Sequence, residues 1–434
     1  MVSLDTPEFV HPEEHRIPLH DYPKQTMSIP ESRMFIIKAA LDEYKSKAGS
    51  DAPTYDASQG DGGASLPGVP RPIMERAFEL QLKQGTSYDK PWGTPLFRKV
   101  TAENYWKLQP ESGWNAQNIV FTQGGRDALN KAYNAMIYRG HGNVGDLLVV
   151  SRVPWISYNW GPYSVGLNVL RAPGQPSEGW RYTPDSIAEC ARFAKAHGRN
   201  IAGLVITSPD NPTGYTLPLS DQIELAHAAL RNDYKYVIFD WMYHWVTDGG
   251  HNDINVVLQA FSKEDRERLI FLDGITKSLG GSNIRSCHLL AGKDIVEHIT
   301  SQASHGVLPS FFAQAVAIAA YEGDFAAAAA PIIEPIRESR KVLKTALTQY
   351  GEPFVIGDGY YAFIDVEKYV QAGNFTDSTH SLLEYTGSNF GVVFVPGVYF
   401  SDAGKNWIRF SYALPPERTQ KAIDRLFEGL HSLA

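Results

Sequence analysis

From about residue 120 onward the chain alternates short, uninterrupted apolar runs with longer stretches whose apolar positions recur at helical spacing. The runs Leu147-Leu148-Val149-Val150, Gly203-Leu204-Val205-Ile206, Tyr236-Val237-Ile238-Phe239 and Leu269-Ile270-Phe271-Leu272 carry no polar alternation. That pattern predicts parallel strands covered on both faces. After Gly125, Leu129, Ala132, Tyr133, Met136 and Ile137 form the i, i+3, i+4, i+7, i+8 stripe of a helix packed on a sheet. The fold class predicted is therefore α/β: a three-layer αβα large domain with a mostly parallel sheet, followed by a smaller α+β domain.

Residues 1–55 are polar and punctuated by proline, with one helical stretch near residues 33–47, and read as an N-terminal arm plus part of the small domain. Residues 56–320 read as the large domain and 321–434 as the small C-terminal one. Between them, residues 311–350 turn helical, and the Ala-rich stretch 326–330 is expected to break at Pro331. A net charge of −8 with scattered basic residues gives no nucleic-acid footprint. Two cysteines, Cys190 and Cys287, are too few for a disulfide scaffold or a Cys-based zinc site. The acidic, proline-containing N-terminus has no apolar run, and no stretch of 18 apolar residues follows. A cytoplasmic protein without membrane contact is the expectation.

Two short motifs lead nowhere. Gly140-His-Gly142-Asn-Val-Gly145 matches a dinucleotide-binding string, but the strand and helix flanking it stand in the reverse order. His11-Pro-Glu-Glu14-His15 matches a metallopeptidase string, but Pro12 spoils the helix needed to bring both imidazoles to one face, so no metal is expected. No Gly-x-Ser-x-Gly elbow is present.

Four other segments each follow a predicted strand, where open α/β sheets bind ligands. They are Ser208-Pro-Asp-Asn211-Pro-Thr-Gly214, Asp240-Trp-Met-Tyr243, Asp273-Gly-Ile-Thr-Lys277 continuing to Arg285, and Thr122-Gln-Gly124-Gly125-Arg126 at a helix entry. Glycines at a helix N-terminus let backbone N–H groups approach a phosphate, whose charge the helix dipole favours. Taken together, the Asn-Pro-Thr-Gly loop, the Asp-x-x-Tyr step and the lysine with an arginine eight residues on resemble the pyridoxal 5'-phosphate (PLP) aminotransferases of class I/II, fold type I. The resemblance spans about residues 58–413.

The resemblance implies a site. Lys277 would be the Schiff-base lysine and proton shuttle, and Asp240 the carboxylate that keeps the pyridine nitrogen protonated. Tyr243 and Asn211 would hydrogen-bond the cofactor's phenolic oxygen. Gly124, Gly125, Arg126 and Arg285 would hold its phosphate, Trp155 would stack on its ring, and Tyr88 would reach the phosphate of a neighbouring subunit in a homodimer with shared active sites. Arg409, in Asn406-Trp-Ile-Arg409, would bind the substrate carboxylate, with Gly60, Asn211 and Trp155 beside the substrate. Two departures touch phosphate anchoring: Gly274 stands where many members carry a serine, and Arg126 where a smaller residue is common.

The activity implied is transfer of an amino group from an L-amino acid to a 2-oxoacid. Dicarboxylate-specific members use a further arginine before the inter-domain helix, whereas residues 292–320 here contain no Arg and only Lys293. Trp92, Trp241, Trp245, Tyr360, Tyr361 and His305 lie in or beside segments expected near the site, so an aromatic or bulky substrate is expected. The alternative is a PLP-dependent lyase, cyclase or oxidase of specialised metabolism, suggested by the unusual Gly62-Gly63-Ala-Ser-Leu-Pro-Gly segment. A DNA-binding regulator built on the same fold would need a helix-turn-helix pattern, which the first 55 residues do not show.

Overall fold

The computed structural model describes residues 6–10, 33–139, 143–303, 305–306 and 308–433. Its strands are β1 (Glu8–Phe9), β2 (Tyr55–Asp56), β3 (Ile119–Thr122), β4 (Leu147–Val150), β5 (Asn168–Arg171), β6 (Ile201–Thr207) and β7 (Tyr236–Asp240). Then follow β8 (Leu269–Gly274), β9 (Cys287–Ala291), β10 (Phe354–Ile356), β11 (Tyr361–Asp365), β12 (Val392–Val393), β13 (Val395–Pro396) and β14 (Trp407–Ser411).

The four apolar runs form β4, β6, β7 and β8, at the heart of an eight-stranded sheet ordered β1-β5-β4-β6-β7-β8-β9-β3. Every residue of β4, β7 and β8 is buried. Because successive side chains point to opposite faces, burial of all of them means that both faces are covered. The pairs β4–β5, β4–β6, β6–β7 and β7–β8 are parallel. β9 runs against both β8 and β3, so β3 points the same way as the parallel set. As a result β3, β4, β6, β7 and β8 all deliver their following loops to one edge of the sheet.

The helix Gly125–Arg139 buries Leu129, Ala132, Tyr133 and Met136 of the predicted stripe, with Ile137 half-buried. At the opposite end of the sheet, β1 adds antiparallel to β5, so part of the N-terminal arm is structural. The Glu8 carboxylate there bridges Arg152 at 2.9 Å and Arg171 at 3.1 Å. The rejected His11–His15 motif and residues 140–142 of the glycine string lie outside the described residues; Gly145 sits in the turn before β4.

A second sheet, β10-β11-β14-β13, is antiparallel throughout, and β2 pairs with β12 in parallel. Helices Phe325–Tyr350 and Pro416–His431 pack together, as do Ala39–Ala48 and Ser378–Phe390. The expected break at Pro331 does not occur: Phe325–Tyr350 is one 26-residue helix with Pro331 and Pro335 inside it. Pro331 and Ala327, whose carbonyl loses its i+4 partner, are exposed. That side is open to solvent, which can hydrogen-bond a freed carbonyl, while Ile332, Ile333 and Ile336 hold the other side in the core. Among the described residues no single helix is long and apolar enough to cross a membrane.

Candidate active site

The loop after β6 is shaped by its own polar groups. The Asp210 carboxylate accepts from the Thr213 N–H at 3.2 Å and the Thr213 hydroxyl at 2.5 Å. Gly214 has φ +72°, and a Cβ there would run into the Tyr361 carbonyl oxygen, so only glycine closes this turn against the second sheet. The loop presents Asn211 to Arg409 of β14, whose Nη1 donates to Asn211 Oδ1 at 2.8 Å while Nη2 donates to the Ser58 carbonyl at 2.6 Å. Arg409 is 3% exposed, and its Nε has no partner among the described residues. The Tyr361 ring lies 4.2 Å and the Phe400 ring 5.6 Å from its guanidinium carbon.

Asp240 ends β7 at 5% exposure. Tyr158 donates its hydroxyl to Oδ2 at 2.5 Å and Met242 its N–H to Oδ1 at 3.2 Å. Burial pushes the carboxyl up to about 6; the two hydrogen bonds and Lys277 pull it down, and the nearby Asp273 pushes it up. A buried carboxylate in this condition is stabilised by any cation brought beside it.

Asp273, next to last in β8, is a second buried carboxyl. Its Oδ1 accepts from the Gly274 N–H at 2.6 Å, and its Oδ2 from His244 Nε2 at 2.7 Å and the Tyr105 hydroxyl. His244 Nδ1 accepts the Asn252 N–H at 3.1 Å, so its proton sits on Nε2 and the imidazole donates to Asp273 as a neutral ring. On the next turn, Lys277 Nζ enters the cavity and donates to the Gly60 carbonyl, while the Lys277 carbonyl accepts from Tyr360. Gly274 has no room for a side chain: a Cβ would stand 2.6 Å from both the Ser286 carbonyl oxygen and the Cys287 Cα at the start of β9. The serine common at this position is therefore sterically excluded here.

Arg285 turns back toward the start of the helix Gly125–Arg139, donating to the Ser282 carbonyl at 2.8 Å and the Gln123 carbonyl at 3.2 Å. Gly124, at φ +90°, lies so close that a Cβ would occupy the guanidinium. Arg126 donates to Ser157 Oγ at 3.1 Å and stands 5.6 Å from the Trp155 ring; burial, then Arg285, lowers its pKa. Two guanidiniums at the N-terminus of a 15-residue helix form a receptor suited to a phosphate dianion.

These groups share one cavity of about 700 Å³. It brings together Gly60, Gly125, Arg126, Trp155, Asn211, Asp240, Tyr243, Lys277, Arg285 and Arg409; Gly124 abuts it through Arg285. Tyr88 is elsewhere, 92% exposed on the surface. The six aromatic candidates divide. Tyr361 lines the cavity and Tyr360 is buried behind it. Trp241 points into the core, stacked on His244, because it alternates with Asp240. Trp245 stacks on His251 at 4.2 Å, Trp92 packs on the core, and His305 is exposed, so none of these lines the cavity. Sequence reasoning missed Tyr158, Asp61 and Met34, all of which line it. The i, i+3 spacing of Trp155 and Tyr158 was a usable signal, since the two rings meet edge to face at 5.3 Å.

The family model for aminotransferase class I and II matches residues 58–426. The chain is similar to the probable aspartate/prephenate aminotransferase of Thermus aquaticus, 28% identical over 82% of this chain and 87% of that one. It is also similar to the aspartate aminotransferase of Bacillus subtilis, 23% identical over 93% and 97%. Among solved structures, the fold matches Thermus thermophilus aspartate aminotransferase with maleate (TM-score 0.76, 23% identity, 93% of this chain and 100% of that one). It likewise matches the aromatic aminotransferase of Pyrococcus horikoshii (TM-score 0.74, 22% identity, 91% and 100%).

Two outcomes follow from this geometry. The Asp240 carboxyl titrates at about 6 when folded against an ordinary 3.8, so its protonated form adds stability below about pH 4 that is lost as pH rises through 6. Cofactor-free protein should thus lose up to about 3 kcal/mol across that window relative to Asp240→Asn, by parallel urea titrations; parallel pH profiles would refute the assignment. Gly274→Ser should lower stability by about 2 kcal/mol or more, because backbone atoms must move; an unchanged urea midpoint would show that the β8–β9 contact yields freely.

Proposed function

The chain belongs to the class I and II aminotransferases, PLP-dependent enzymes that exchange amino groups between amino acids and 2-oxoacids, and on that footing we propose that Lys277 binds the cofactor covalently and that the donor is an aromatic or otherwise bulky L-amino acid. The observation that carries the site assignment is the convergence of the Lys277 amine, the Asp240 carboxyl, the Arg409 guanidinium and a two-arginine helix entry on one cavity. Asp240 would pair with the pyridine nitrogen, Tyr243 and Asn211 with the phenolic oxygen, and Arg285, Arg126 and the Gly124–Gly125 backbone with the phosphate; Trp155 would cover the ring. When bound, PLP supplies an electron sink that acidifies the substrate Cα–H bond.

The chain's own residues do the rest. Arg409 holds the substrate carboxylate with a planar fork, its position fixed by Asn211 and Ser58. That clamp orients the Cα–H bond toward Lys277 Nζ, which takes and returns the proton on a flexible four-carbon stem. Tyr158 keeps Asp240 in place from behind.

The substrate class rests on charge accounting within the cavity. Arg126, Arg285 and Lys277 are committed to the cofactor and Arg409 to the α-carboxylate. No other cation among the described residues lines the cavity, and the Asp61 carboxylate does. A second substrate carboxylate would meet repulsion, while Met34, Trp155 and Tyr361 offer apolar surface. Lys293, the one cation in residues 292–320, pairs with Glu297 at 3.6 Å and is exposed. The relatives named for aspartate make this a pointed test. The lyase, cyclase or oxidase alternative loses its motive: Gly62–Ala64 is a short turn capped by Asp61, and a Cβ on Gly63 would strike the Gly280 carbonyl, so packing explains its glycines. Catalysis as a homodimer, with Tyr88 completing the partner's phosphate site, belongs to the same proposal; exposed Phe78 and Leu82 on the helix Arg71–Gln84 supply apolar surface for contact.

The test is the visible absorbance of the holoenzyme. L-phenylalanine without an oxoacid should bleach the band, and a 2-oxoacid should restore it. Lys277→Ala should abolish the band and reduce turnover by roughly 10³-fold or more. Bleaching without recovery on oxoacid, or product release with the band intact, would argue for lyase or oxidase chemistry; a higher kcat/KM for aspartate than for phenylalanine would overturn the substrate class.

A further inference from the structure

Tyr361 lies on β11 at the floor of the cavity, two residues from Phe363, the cross-strand partner of Arg409. Its hydroxyl stands 2.9 Å from the Tyr243 hydroxyl and against Gly60, where a Cβ would come within 2.5 Å of it. Its backbone is clamped by Gly214 of the loop that carries Asn211, and its ring underlies Arg409. One side chain thus touches three parts of the site: the tyrosine aimed at the cofactor, the loop beside Lys277, and the arginine aimed at the substrate.

A phenol has one proton to donate. Burial, with Tyr361 beside it, holds the Tyr243 hydroxyl well above the ordinary tyrosine range, so it stays protonated. If Tyr243 spends that proton on the phenolic oxygen of the cofactor, it can only accept in its 2.9 Å contact with Tyr361, and Tyr361 is the donor there. We propose that Tyr361 is a positioning residue with two separable roles: its hydroxyl donates to Tyr243 and so fixes Tyr243 as a donor toward the cofactor, and its ring supports Arg409 for the substrate carboxylate. This rests on the reading of Lys277 and Tyr243 given above. The charged and titratable groups around the pair are Arg409, Lys277 and Tyr360, with Asp61 and Asp240 across the cavity.

Donation to Tyr243 sharpens the acidity of its hydroxyl and strengthens its bond to the phenolic oxygen. A stronger bond there lowers the proton affinity of the Lys277 nitrogen that shares a proton with that oxygen. Removing only the Tyr361 hydroxyl should therefore raise the midpoint of the pH-dependent change in visible absorbance.

The experiment is a spectrophotometric pH titration of wild-type, Tyr361→Phe and Tyr361→Leu holoenzymes, with KM for the amino donor measured alongside. Tyr361→Phe should move the midpoint up by about 0.5–1 pH unit and leave KM near the wild-type value. Tyr361→Leu should show the same shift and, with the ring gone, raise KM by about fivefold. A Tyr361→Phe titration that superimposes on the wild type overturns the hydroxyl role, and an unchanged KM in Tyr361→Leu overturns the ring role. A wild-type band that persists in Lys277→Ala overturns the functional reading itself, and this inference with it.

Discussion

A carboxylate taken out of water costs several kcal/mol to keep charged unless donors and a cation meet it, and among the described residues Asp240 receives donors from only two groups, Tyr158 and Met242. Behind it lies Asp273, also fully buried but satisfied on both oxygens by His244, Tyr105 and a backbone N–H. Lys277, Arg285, Arg126 and Arg409 line the same cavity as Asp240. Asp240 has one donor on each oxygen and Asp273 three in all, so the carboxyl that lines the cavity is the less fully bonded of the two.

The second constraint is the seam between the two sheets. Gly214 pressed on the Tyr361 carbonyl, Gly357 on the Gly214 carbonyl, and Asn159 donating to Phe400 at 2.7 Å leave little freedom for one body to slide on the other at this level. Arg409 comes from one body and Asn211 from the other. Arg409 and Asn211 are therefore registered by packing that neither body could supply alone.

The large sheet was legible in the sequence because strands buried on both faces must be uninterruptedly apolar, as β4, β6, β7 and β8 are. The Asn211, Asp240, Lys277 and Arg285 segments were legible because short-range spacing defines them. Tyr158 and the pairing of Tyr243 with Tyr361 were not, since a hydrogen bond spanning 82 or 118 residues leaves no local trace. The aromatic count misled for a related reason. Trp241 is one residue from Asp240, yet strand alternation turns it into the core, so nearness in sequence said nothing of direction. At Pro331 local propensity lost to tertiary packing, because three buried isoleucines anchor the helix through the missing bond.

At the rim of the large sheet, β1 has a bearing on how the molecule behaves in company. A bare β5 would present a row of unpaired backbone donors and acceptors, which is a template for strand addition from any passing chain. Two residues of the same polypeptide fill that row, fastened by Glu8 to two arginines rather than by a long ladder. The clasp is largely buried, and the fully buried Val10, with Phe9 packed on Phe193, fastens the same edge, so salt screens the protection little and the sheet stays closed to self-association over ordinary ionic strengths.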